Sequence, residues 1–86
     1  MIFSVLVETR LRPGIADPQG HTIERSLPAL GFDGISGVRV GKAFRFDLEA
    51  SDEAAAEAHA REVTQRFLIN PVIEDADVTV TVAQSV

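Results

Sequence analysis

The sequence predicts an α+β fold: a four-stranded antiparallel sheet with two helices on one face, in the order strand, helix, strand, strand, helix, strand, the ferredoxin-like arrangement. Three observations predict it. In the stretch Gly37 to Glu49, Phe44, Phe46 and Leu48 alternate with Arg45, Asp47 and Glu49, which puts three large apolar side chains on one face of a strand and three charges on the other. Two helix-start signals, at Asp17-Pro18 and at Ser51-Asp52-Glu53, separate this stretch from its neighbours. The run Val78-Thr79-Val80-Thr81-Val82 is β-branched throughout and reads as a closing strand.

The first strand covers Phe3 to Leu11. Its odd positions Phe3, Val5, Val7 and Leu11 share a face with Thr9, and Ser4, Glu8 and Arg10 point the other way with Ile2 and Leu6. Pro13-Gly14 turns the chain. At Asp17 a carboxylate can accept from an orphan backbone N–H as N-cap, and Pro18 at the first helical position gives up no hydrogen bond. The helix from Pro18 carries an expected buried stripe of Ile23, Leu27 and Leu30, with Glu24 and Arg25 outside. Pro28 sits awkwardly in it, since a proline deep in a helix removes a backbone bond at a cost of about 3 kcal/mol. Gly31 supplies the stop.

Val38 and Val40 flank Arg39 with strand period, and the break at Gly41-Lys42 reads as a β-hairpin leading into Phe44. A two-residue turn would set Val40 opposite Ala43 and lose one apolar face. A three-residue loop or a bulge, with Gly41 at positive φ, keeps the faces matched and leaves Lys42 at an exposed tip. In the second helix Ser51 is the expected N-cap, and Ala56, Ala60, Val63 and Phe67 fall on one face. Glu57 with Arg61 and Glu62 with Arg66 form i,i+4 pairs. Asn70-Pro71 ends that helix.

Size and charge bound the function. With 86 residues the chain reads as one domain, residues 1–86, near the lower limit of what folds without staples, so a partner subunit would add stability. The absence of Cys excludes a disulfide framework and a thiolate nucleophile or ligand. Thirteen acidic against eight basic residues argue against nucleic acid. The start lacks the pattern of a signal peptide and no apolar run reaches membrane-spanning length, so a cytoplasmic protein that binds no membrane is expected. His21 and His59 lack neighbouring ligands at metal-site spacing. Ser4, Ser26, Ser36, Ser51 and Ser85 sit in no nucleophile elbow, and there is no phosphate loop. No catalytic, cofactor-binding or metal-binding residue is expected in this chain alone.

Three short stretches are more polar or more constrained than core packing needs: Asp17-Pro18-Gln19-Gly20, Val38-Arg39-Val40-Gly41-Lys42, and Asn70-Pro71-Val72-Ile73-Glu74-Asp75. A helix cap, a solvated hairpin and a helix stop explain each one physically. Val72-Ile73 is the least comfortable, because two apolar residues in a loop must fold under a strand or meet a partner.

In this order and at these separations, together with Leu30-Gly31-Phe32 closing the first helix, the stretches resemble the PurS subunit family of phosphoribosylformylglycinamidine synthase. The likeness runs from the first strand to the last. The chain departs from the family pattern at Ala76, where an aromatic often follows the acidic pair, and at Ala16, where a larger apolar residue is usual. The resemblance implies a small non-catalytic subunit in de novo purine synthesis that joins a glutaminase subunit to a synthetase subunit so that ammonia passes between them. It implies a homo-oligomer, dimer or tetramer, with ATP, Mg and glutamine used by the complex. The interface candidates are then Asp17, Pro18, Gln19, Gly20, Arg39, Gly41, Lys42, Asn70, Pro71, Val72, Ile73 and Glu74. Read without the resemblance, the same fold class also suits a regulatory module binding a small ligand between subunits, or, less well, an acylphosphatase. Arg12-Pro13-Gly14 forms no phosphate cradle for the latter.

Overall fold

A computed structural model describes residues 1–83; Ser85 lies outside them. The alternating first segment forms β1 (Ile2–Leu11), followed by α1 (Pro18–Ser26), a 3-10 turn (Pro28–Leu30), β2 (Ala43–Glu49), α2 (Glu53–Val63), a π-helical turn (Thr64–Leu68) and β3 (Glu74–Val82). The sheet has three strands in the order β2-β1-β3, all antiparallel. This corrects the expected four-stranded sheet.

The missing strand is Val38–Val40. Its amides have found other acceptors: the Val38 N–H donates to Glu24 Oε1 at 2.9 Å and the Val40 N–H to Asp17 Oδ2 at 2.8 Å. With those donors satisfied by side chains of α1 and its N-cap, the segment lies along that helix as a second ply. Sheet pairing resumes at Lys42, whose carbonyl accepts from the Thr9 N–H at 2.8 Å. The hairpin is therefore absent, and Gly41 is not among the glycines with positive φ, which are Gly14, Gly31, Gly34 and Gly37. Glycine is needed at 41 for a different reason. A Cβ built there would lie 2.0 Å from the Thr9 carbonyl oxygen.

The core lies on the odd face of β1. Phe3, Val5 and Val7 are buried, and the register sets them against Leu48, Phe46 and Phe44 on one side and Val82, Val80 and Val78 on the other. The alanines of α2 let it sit close over this face, and Ala56, Ala60 and Thr64 are buried at successive i,i+4 positions. Asp52, not Ser51, caps α2, accepting from the Ala55 N–H at 2.7 Å. The expected ion pairs Glu57–Arg61 and Glu62–Arg66 are present, each at 2.9 Å.

Phe67 departs from the expected stripe and is 84% exposed. The π turn inserts one extra residue into the helical repeat after the buried Thr64, which turns Leu68 toward the sheet and Phe67 out. The second helix of the expected layer is also displaced. Pro28 opens a separate 3-10 turn after α1, and α1 packs against that turn without extended contact with any strand. Ile23 and Leu30, expected to be buried, are consequently exposed. No helix among the described residues is long and apolar enough to cross a membrane.

Candidate functional site: the cleft at the root of the arm

Residues 12–42 form an arm of two plies, α1 and the segment before β2, tied together by carboxylates. Asp17 is the principal tie. Its side chain is 6% exposed. One oxygen accepts from the Gly20 N–H at 2.8 Å as an N-cap and the other from the Val40 N–H at 2.8 Å, so one carboxylate both starts the helix and fixes the second ply. Gly20 is buried at this junction, and a Cβ on it would come within 2.4 Å of the Val38 carbonyl oxygen. Arg39 donates to the Ile15 carbonyl at 3.3 Å and stands 3.8 Å from the Asp17 carboxylate, adding a weaker tie on the outer side.

At the arm's root this construction leaves a cleft of about 490 Å³. It is lined by Thr9, Leu11, Asp17, Pro18, Gln19, Val40, Gly41, Lys42, Ile73 and Glu74. Parts of all three polar stretches thus meet in one place, although they are far apart in sequence. Asp17, Pro18, Gln19, Gly41, Lys42, Ile73 and Glu74 line it. Gly20 lies behind its wall. Arg39 borders a separate depression of about 440 Å³ on the other side of Asp17. Asn70, Pro71 and Val72 lie outside the lining, in a turn that Asn70 organises. Its side chain accepts from the Val72 N–H, its carbonyl from the Ile73 and Glu74 N–H groups, and its own N–H donates to Glu74 Oε1. Val72 stands 78% exposed on that turn.

Two contributors escape a reading of the sequence. Thr9 Oγ1 accepts from the Lys42 N–H at 3.1 Å, so a buried hydroxyl joins the arm to β1. Arg12 donates to the Glu74 carbonyl at 3.4 Å and pairs with Asp75, fixing the other lip. A signal for Thr9 did exist: it is the hydroxyl on an otherwise apolar face. The lining offers an ammonium, an amide and two carboxylates around apolar walls. Among the described residues no group of three or more metal-ligating side chains comes together. A further depression of about 550 Å³ on the open sheet face, lined by Ser4, Leu6, Arg45, Asp47, Thr79 and Thr81 among others, is remote from these stretches.

The profile of the family described as PurS: Phosphoribosylformylglycinamidine (FGAM) synthase matches residues 4–82. The chain belongs to the PurS family. Among its PurS relatives, the Archaeoglobus fulgidus subunit is 39% identical over 74 residues, 86% of this chain and 90% of that one. The Mycobacterium leprae subunit is 42% identical over 74 residues, with the same shares of the two chains. A Synechocystis subunit is 43% identical over 65 residues, 76% of this chain, and the match spans 65% of that longer protein. In three dimensions the chain is similar to Thermotoga maritima PurS, with a TM-score of 0.86 at 28% identity over 93% of this chain and 92% of that one. It is equally similar to a chain in the structure of Thermotoga maritima PurLQS, with a TM-score of 0.86 at 28% identity, covering 93% and 98%.

The pH response of the PurS arm follows from Asp17. Hydrogen bonds from the Val40 and Gly20 amides, and then the Arg39 charge, hold its carboxyl below the ordinary value of 3.8, against an opposing effect of burial. The folded value is the lower one. The tie is therefore fully present above the unfolded value and is lost as pH falls through the folded value. In an NMR titration, the Val40 and Gly20 amide resonances are expected to move together, with a midpoint below 3.8. Asp17→Asn should remove that transition, and a midpoint at or above 3.8 would show that the carboxylate does not hold the two plies.

Proposed function

We propose that this chain is the small, non-catalytic subunit of a cytoplasmic phosphoribosylformylglycinamidine synthase of purine biosynthesis. It joins the glutaminase subunit to the synthetase subunit, and glutamine, ATP and Mg are used by those partners. Its relatives are phosphoribosylformylglycinamidine synthase subunits, and one neighbour is a chain of PurLQS. The observation that carries the joining role is the convergence of the three polar stretches on the cleft at the root of the arm. Side chains that core packing does not require are gathered there from three elements, which suits recognition of another protein surface. The chain also associates with itself in this reading.

Lys42 is the residue whose charge is best placed to steer a partner. Among the described residues it forms no ion pair, and it stands on the cleft lip at the start of β2. Arg39 serves the arm itself. Charge reversal by Lys42→Glu should lower the glutamine-dependent rate of amidine formation about fivefold at low ionic strength, with the loss shrinking as salt rises. The rate with free ammonia should be unchanged, because the synthetase keeps its own active site. Equal loss with both donors, or none with either, would remove the joining role from this cleft.

A further inference from the structure

The cations of this chain divide by kind. Seven are arginines, and Lys42 is the sole lysine. Five of the arginines, Arg10, Arg12, Arg39, Arg61 and Arg66, form ion pairs that tie strands, the arm or turns of α2. A guanidinium keeps its proton and its charge, whereas a lysine amine is a ready acyl acceptor. The cations that brace the fold are therefore beyond the reach of an acyl donor. The one within reach braces nothing through its side chain: Lys42 holds the root of the arm by its main-chain N–H and carbonyl, both bonded to Thr9.

Its position gives acylation a consequence. Lys42 is exposed, and it is the only cation in the lining of the cleft, alongside two carboxylates, Asp17 and Glu74. Both oxygens of Asp17 accept from amides, and Glu74 Oε1 accepts from the Asn70 N–H, so each carboxylate has partners of its own. Acylation of the ammonium removes its charge and leaves the cleft with two carboxylates and no cation.

We propose that Lys42 is a reversible acylation site that regulates joining: a short-chain acyl phosphate acylates the free chain there, and the modified chain joins its partners less well. The uncharged Nζ attacks the carbonyl carbon, the C–O bond to phosphate breaks, and phosphate leaves with the bonding pair. The amine gives a proton to water and a neutral amide remains. Hydrolysis of that amide returns the carboxylic acid and the amine. Assembly covers the cleft and shields the amine, so acylation and joining oppose one another. This regulation rests on the joining role proposed above.

The test treats full-length chain with acetyl phosphate, either free or already assembled with both enzyme subunits, and reads the acetyl group by peptide mass spectrometry. The free chain should be acetylated at Lys42, and the assembled chain several-fold more slowly. A complex reconstituted from acetylated chain should lose about twofold in glutamine-dependent rate at low ionic strength, because neutralisation is half the charge change of Lys42→Glu. Its ammonia-dependent rate should not change. In Lys42→Arg chain, where the α-amine is the only amine left, treated and untreated samples should give the same glutamine-dependent rate. No acetylation of Lys42 in the free chain, equal acetylation of free and assembled chain, or an undiminished glutamine-dependent rate would overturn the regulation. Lys42→Glu separates the two failures: if it lowers that rate and acetylation does not, the regulation alone falls, and if neither does, the joining role of this cleft falls with it.

Discussion

Gly41→Val is expected to destabilise the chain by about 3 kcal/mol and to lower its melting temperature by roughly 15 °C, one of the largest effects of any single substitution here. The added Cβ would stand 2.0 Å from the Thr9 carbonyl oxygen and 3.1 Å from its carbonyl carbon. Both are backbone atoms, so no rotamer change relieves the clash. The root of the arm must move off β1, breaking the bonds between Thr9 and Lys42 at 2.8 and 3.1 Å. Gly41→Asn separates this cause from the alternative. Asparagine tolerates positive φ, so a residue needed only for a left-handed turn would accept it, whereas a close-approach site rejects Asn as firmly as Val. As a control, Gly34 has φ +81 and nothing within 4 Å of a built Cβ, so Gly34→Ala should cost about 1 kcal/mol through backbone strain alone. The measurement is urea denaturation at one fixed protein concentration, since self-association makes apparent stability concentration-dependent. If Gly41→Asn behaves like wild type, the contact with Thr9 does not anchor the arm.

Much of the fold is legible in the residues because it depends on which way side chains point. The alternation of Phe3, Val5 and Val7, and of Phe44, Phe46 and Leu48, states which face of each strand turns inward, and the structure buries the first set and half-buries the second against it. The alanine stripe of α2 and its two ion pairs follow from helical spacing in the same way. Val38 and Val40 show where such reasoning stops. Their alternation describes side-chain direction, but strand pairing is a matter of backbone donors, and their acceptors are carboxylates 14 and 23 residues earlier in the chain. Periodicity carries no trace of that. Phe67 fails for a related reason, since a 3.6-residue period cannot register the extra residue of the π turn. At Gly41 the sequence marks a position intolerant of a side chain without saying whether conformation or a neighbour forbids it.

The candidate site was legible in part. Polarity beyond what the core requires singled out Asp17, Gln19, Lys42 and Glu74, and these do converge on one cleft. Asn70 and Pro71 answer instead to the local turn before β3. Arg39 answers to the arm, through the Ile15 carbonyl and Asp17. Glu24, which ties the arm to itself, was hidden because a glutamate suits any helix surface, whereas Thr9, which binds the arm to the sheet, was marked by its hydroxyl on an otherwise apolar face.

The joining role is tested most directly by reconstitution with the glutaminase and synthetase subunits of the same organism, comparing amidine formation from glutamine with and without this chain. A subunit that holds two active sites together raises the local concentration of transferred ammonia, an advantage of about a hundredfold for a well-matched link. Omitting the chain should therefore lower the glutamine-dependent rate about a hundredfold while leaving the ammonia-dependent rate intact, and the chain should co-elute with both partners. An undiminished glutamine-dependent rate in its absence would contradict the account.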